Sequence, residues 1–188
     1  MNQLLICALI GVIWTALFIV IALWRIPSFI TKVYVKGLGR RIGADPWNRM
    51  SEPTLAQPGP GGVVMASPDM VNMLGAFDAS LGPVHIHWRV PDWDTYWSIS
   101  LFASNTDNFY VLNDRGAKSK DVDLVVTAPG AVYRKQGNEE VIAAPTARGV
   151  VVARIVVKNR DDAAEVARAE ELMAQTKIAL NSVSAAGD

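Results

Sequence analysis

No charged side chain occurs from Met1 to Trp24. The run "LLICALIGVIWTALFIVIALW", Leu4 to Trp24, is apolar throughout. At about 1.5 Å per residue a helix of that length covers roughly 30 Å, the hydrocarbon thickness of a bilayer. A cleaved signal peptide has a shorter apolar run of about 7–15 residues, cations before it and small residues at the cut. This run is longer, follows no lysine or arginine, and lacks an A-x-A exit. It is expected to be one retained transmembrane helix within residues 1–26. Trp24 is the interfacial aromatic and Arg25 the first solvated charge.

A basic segment follows. Arg25, Lys32, Lys36, Arg40, Arg41 and Arg49 stand against Asp45 alone between residues 25 and 50, six cations to one acid. The chain as a whole has a formal charge of zero, so the remainder is acidic. Ile30, Tyr34, Leu38 and Ile42 recur every four residues, as do Lys32, Lys36 and Arg40 on another side. That pattern fits a short amphipathic helix on anionic lipid, with Trp24, Arg25, Lys32, Lys36, Arg40 and Arg41 at the membrane surface. Gly37 and Gly39 weaken it toward a loose charged linker. "GLGRRI" has no strand before it and no third glycine, so it is not a dinucleotide fingerprint. The Pro/Gly-rich "SEPTLAQPGPGG" cannot continue a helix and is expected to be a hinge. Residues 27–62 therefore read as a juxtamembrane segment and hinge.

No basic stripe continues into the body, which argues against nucleic acid as a partner. Cys7 is the single cysteine and lies in the apolar run, so no internal disulfide can form.

From residue 63 the period becomes two. In "PVHIHWRV", Val84, Ile86, Trp88 and Val90 alternate with His85, His87 and Arg89. Pro91, Asp92 and Asp94 mark a turn into "TYWSISLFA", and the two segments read as a hairpin. "FYVLN", "VDLVVTA" and "EEVIAAP" follow as strands. "RGVVVARIVVKN" is rich in β-branched residues on both faces, which suggests a central strand covered on both sides. "NRDDAAEVARAEELMAQTKIALNSV" reads as a helix capped at Asn159, with Val166, Ala169, Met173 and Leu180 on its apolar stripe. The expected fold is α+β: an antiparallel sheet or sandwich over 63–183, a packed C-terminal helix, a frayed tail at 184–188, and the transmembrane helix in front.

Few residues suggest chemistry. His85 and His87 share one face of a strand, as a metal-chelating pair would, and Asp92 or Asp94 would have to supply a third ligand. A polar strand face explains the pair more simply. Ser98 and Ser100 lie mid-strand without a nucleophile elbow. Trp88, Trp93 and Trp97 fit aromatic packing between strands better than a ligand wall. Asn105, Asn108, Asn113 and Asp114 bracket a strand. With Tyr96 and Trp97 they are the candidate ligand-binding residues of a polar cleft. No catalytic residue and no cofactor is expected.

The run "SPDMVNMLGAFDASLGPVHIHWRVPDWDTYWSISLFASNTDNFYVLNDRG", with "DLVVTAP" and "RGVVVARIVV", resembles a bacterial domain-of-unknown-function family, twelve fifty-four (DUF1254). The matching positions are Ser67 to Asp69, Phe77, Asp78, Leu81 to Pro83, Tyr96 to Ser100, Asn105, Asn108, Phe109 and Asn113 to Arg115. The resemblance implies a short branch with one N-terminal membrane helix, and longer exported relatives in which this domain is fused to a companion β-sandwich of family twelve fourteen. It does not demand histidine at His85 or His87, and it implies no established reaction. It also implies a periplasmic body, whereas the cations after the anchor would place the body in the cytoplasm. The uncharged N-terminus is weak guidance, and the periplasmic reading is preferred.

The expected function is therefore a non-enzymatic, inner-membrane-anchored interaction subunit. Its partners would be membrane lipid and another anchored protein carrying the companion domain. The alternative is a cell-envelope small-molecule binder or hydrolase with a pocket near Tyr96–Asn113.

Overall fold

The structure is a computed structural model that describes residues 2–57 and 67–180. A single helix, α1 (Gln3–Ile42), contains the apolar run and the basic segment as far as Arg41. The segment after the anchor is thus neither a separate helix nor a loose linker. Forty residues make a rod of about 60 Å. Pro27 sits inside it, and the Thr31 hydroxyl donates to the Pro27 carbonyl at 3.2 Å. The rod ends at Gly43, whose φ of 70° is the left-handed conformation of a C-cap, with its N–H on the Gly39 carbonyl at 2.9 Å. Arg40 and Arg41 lie in the last turn, where cations complement the helix dipole.

Ten strands and a second helix follow among the described residues: β1 (Arg49–Met50), β2 (Thr54–Leu55), β3 (Met70–Asp78), β4 (Val84–Arg89), β5 (Trp97–Ala103), β6 (Asn108–Asn113), β7 (Asp121–Thr127), β8 (Glu140–Ala143), β9 (Arg148–Val156), α2 (Ala163–Ala174) and β10 (Lys177–Leu180). They form two sheets. The first runs β1-β3-β9-β5-β6, with β2 also on β3; the second runs β10-β4-β7-β8. All pairings are antiparallel except β7 with β8.

The sheets close face to face. Val71, Met73 and Phe77 of β3, Trp97, Ile99 and Leu101 of β5, and Val151, Ala153 and Ile155 of β9 meet Val84, Ile86 and Trp88 of β4 and Val122, Leu124 and Val126 of β7. Each set alternates along its strand, as one buried sheet face requires. Trp88 and Trp97 stack across the gap with centroids 5.6 Å apart. Burying such apolar surface at about 25 cal/mol per Å² is the main force holding the body together.

β9 is central and covered on both faces, as expected. On its outer side Val150 joins Val35 and Leu38 of α1 and Ala76 of β3 in a second cluster, with Val152, Leu74, Phe102, Ile42 and Trp47 packed around it. The last turns of α1 are therefore glued to the first sheet. β1 crosses so close to Gly75 that a β-carbon there would lie 2.9 Å from the Arg49 carbonyl. β1 and β2 pair with β3, so the first sheet begins before residue 63. Only residues 51–57 of the expected hinge are described.

Two expectations fail here. β4 and β5 are not a hairpin. β4 pairs with β7 and β10, β5 with β9 and β6, and residues 90–96 cross from one sheet to the other. Tight hairpins favour two-residue loops, and this longer Pro-containing connection instead lets Trp88 and Trp97 face each other from opposite sheets. The C-terminal helix is also shorter than expected. Asp162, not Asn159, caps it by accepting from the N–H groups of Ala164 and Glu165. Asn159 instead accepts from the Asp161 N–H in a turn. The chain then leaves helix at Gln175, and Lys177–Leu180 adds to the edge of β4, so Leu180 belongs to a strand. Ala169 and Met173 are buried against the sandwich as expected. The end of the expected helix and the tail at 184–188 lie outside the described residues.

Candidate functional site

The β5–β6 hairpin separates the expected ligand-binding residues. Asn105 and Asn108 lie at one end, where the Asn105 amide donates to Asp107 at 2.6 Å. Tyr96, Asn113 and Asp114 lie at the other, a strand length of about 20 Å away. There Asn113 Oδ1 accepts from the N–H groups of Arg115 and Gly116, and the Asp114 N–H donates to the Trp97 carbonyl. Tyr96 is partly exposed, and its carbonyl accepts from the Val156 N–H. Trp97 is buried in the sheet-to-sheet core. Each polar group thus shapes a turn or strand end, and the six do not converge on one cleft.

His85 and His87 lie on the outer face of β4, away from the core. His87 Nδ1 is 2.7 Å from Asp123 Oδ1, directly opposite on β7, and Nε2 is 3.9 Å from Asp121. The His85 ring meets Tyr133 edge-on. Asp92 and Asp94 are carried off into the crossover. Asp92 pairs with Arg168 of α2 at 2.7 Å and Asp94 with Lys158 at 3.6 Å. The Arg168 guanidinium also covers the Trp93 ring at 4.0 Å, pinning α2 to the crossover. Ser98 and Ser100 lie in β5, in the sheet that does not contain the histidines.

The membrane-surface candidates fare differently. Trp24 and Arg25 are exposed on α1. Lys32 and Lys36 line a cleft of about 520 Å³ between α1 and the first sheet, together with Ser28, Thr31, Val35, Trp47, Ser104 and Arg148. Arg40 and Arg41 lie one to two turns further along the helix. Arg148 and Trp47 were not singled out by sequence patterning, because the pairing of β1 and β9 with β3 brings them together.

Arg148 is fixed in place. Its Nε donates to Asp78 Oδ2 at 2.7 Å, and its guanidinium lies 4.9 Å from the centre of the Trp47 ring. Asp78 is nearly buried and accepts two further bonds, from the Ser80 N–H at 3.0 Å and the Ser80 hydroxyl at 2.5 Å. Burial alone would raise its carboxyl pKa. The Ser80 bonds and the Arg148 guanidinium outweigh that and hold it below the ordinary carboxylate value. Asn48 clamps the Asp78 backbone, donating to its carbonyl and accepting from its N–H. On the wall of the cleft opposite α1, Arg148 is therefore held in an ion pair with Asp78.

A family model described as "Protein of unknown function (DUF1254)" matches residues 47–179. No curated protein matches the chain. Among solved structures, the VPA0106 protein of Vibrio parahaemolyticus is similar at a TM-score of 0.61 and 17% identity, covering 83% of this chain and 37% of its own. A protein from Burkholderia cenocepacia gives a TM-score of 0.45 at 15% identity, covering 71% of this chain and 35% of its own. This chain thus spans little more than a third of the length of either protein. At such identity the Vibrio likeness establishes the fold and nothing more.

Proposed function

The chain belongs to the DUF1254 family, and from that premise we propose that it is a single-pass, non-enzymatic interaction subunit of the bacterial inner membrane. α1 is long and apolar enough to cross a membrane. In this reading it does so and holds the sandwich on the periplasmic side. The partner is another anchored protein that carries a companion β-sandwich domain.

The observation that carries this reading is the open edge of the first sheet. β6, "NFYVLN", is bonded to β5 on one side and to no strand on the other among the described residues. It contains no charge and no proline, and Val111 is 49% exposed. The opposite edge is made of β1 and β2, two residues each, and the second sheet ends in four-residue strands. Unpaired edges without charge or proline are sites for strand addition.

The test places a photo-crosslinking amino acid at Val111 in the full chain at native expression. A crosslink to one membrane protein with a β-sandwich domain is expected, and Val111→Lys should remove that protein from mild-detergent purifications. A chain that purifies alone and crosslinks to nothing would overturn the reading.

A further inference from the structure

The cleft between α1 and the first sheet has features that an interaction subunit does not need. Lys32, Lys36 and Arg148 contribute three cations, of which Arg148 is paired with Asp78 just outside the lining. Ser28 and Ser104 add hydroxyls, and Trp47 and Val35 an apolar side. A volume of about 520 Å³ suits a small polar ligand. Two of the cations come from the helix and one from β9, so the cleft has cations on both of its sides. Arg148 is already aimed and oriented by Asp78, which lowers the cost of ordering on binding.

A second observation concerns where the cleft lies. Thr31, Val35 and Leu38 face the body and are buried. On the opposite face of the same turns Ile26, Phe29, Ile30 and Val33 are 51–65% exposed. Their spacing of three and four residues makes one continuous apolar stripe. It continues past the first charge, Arg25, with Lys32 and Lys36 beside it, which is the make-up of a helix at the headgroup level. Ser28 lies about 6 Å beyond Trp24 along the axis and Lys36 about 18 Å. The near end of the cleft is then within reach of lipid phosphates.

We propose that the cleft is a phosphate-ester site, with Lys32, Lys36 and Arg148 as its cationic ligands. An anionic phospholipid headgroup is the expected source of the phosphate. That source rests on α1 staying in the membrane, whereas the phosphate chemistry does not, and neither depends on a partner at β6.

The experiment uses the full chain in neutral detergent micelles, titrated with phosphatidylglycerol, with phosphatidylcholine, and with inorganic phosphate, and read by native mass spectrometry. One retained phosphatidylglycerol is expected, preferred over phosphatidylcholine. The pair Lys32→Gln with Lys36→Gln should weaken it roughly tenfold or more, since each cation near anionic lipid contributes appreciably. The control pair, Arg40→Gln with Arg41→Gln, removes the same charge from the same helix outside the cleft and should weaken binding far less. Phosphate that displaces the lipid, with the same sensitivity to Lys32 and Lys36, supports the site and shows that soluble esters compete for it. Equal losses from both pairs would reduce the effect to the general field of the helix and overturn the site. So would failure to retain lipid or phosphate at all.

Discussion

Asp78→Asn is the substitution from which the joint between helix and sandwich can best be measured. The carboxylate accepts three hydrogen bonds, two from Ser80 and one from Arg148. A net bond contributes about 1 kcal/mol, and bonds to charged groups more. Ser80 is exposed and Arg148 is 56% exposed, so both donors regain water when the partner changes. Discounting for that, the loss at pH 7 comes to about 2 kcal/mol, roughly thirtyfold in the folding equilibrium. For a body of this size that is a fall in Tm of about 8 °C. The sign of the pH dependence follows from the lowered pKa of Asp78. The stabilisation is complete above the unfolded carboxyl value of about 3.9 and disappears as the pH falls through the lower folded value. The gap between wild type and variant should therefore be full at pH 7 and close progressively below about pH 4. Urea titration of the full chain in mild detergent, followed by tryptophan fluorescence, measures both. A gap below about 0.5 kcal/mol at pH 7, or one that widens on acidification, would refute the argument.

Two further outcomes follow from the sandwich. Trp88→Ala should cost about 3–5 kcal/mol by opening the inter-sheet core, whereas Trp88→Phe should cost under about 2, because the indole N–H it deletes has no acceptor among the described residues. Chemical denaturation of both variants checks the difference. Asp162→Ala should remove the α2 cap and cost about 1 kcal/mol, with faster amide exchange confined to the first turn of α2.

The sequence disclosed those elements whose burial is periodic. β4, β5 and β7 alternate, and their inner faces were legible residue by residue, whereas β9 was legible only as a strand covered on both faces. β3 escaped because Leu, Met, Gly and Ala dilute its alternation, and only pairing with β9 along its whole length makes it a strand. β10 escaped because "KIAL" continues a helical stripe, and only the free edge of β4 draws it into the sheet. The crossover between β4 and β5 was misread because Pro91 and the aspartates signal a turn without saying which sheet the chain turns toward. The same limit applied to the cleft. Lys32 and Lys36 were visible as surface cations, but Arg148, Trp47 and Asp78 come from separate segments that β3 alone brings side by side.

The proposed function requires α1 to remain attached and to hold the sandwich on the far side of the inner membrane. The direct measurement is to replace Cys7 with serine, place a single cysteine at the exposed Lys118, and treat intact cells with a membrane-impermeant maleimide. A labelled chain in the membrane fraction that still contains the peptide preceding Arg25 is the predicted result. A labelled chain released in soluble form without that peptide, or one that reacts only after the cells are broken, would contradict it.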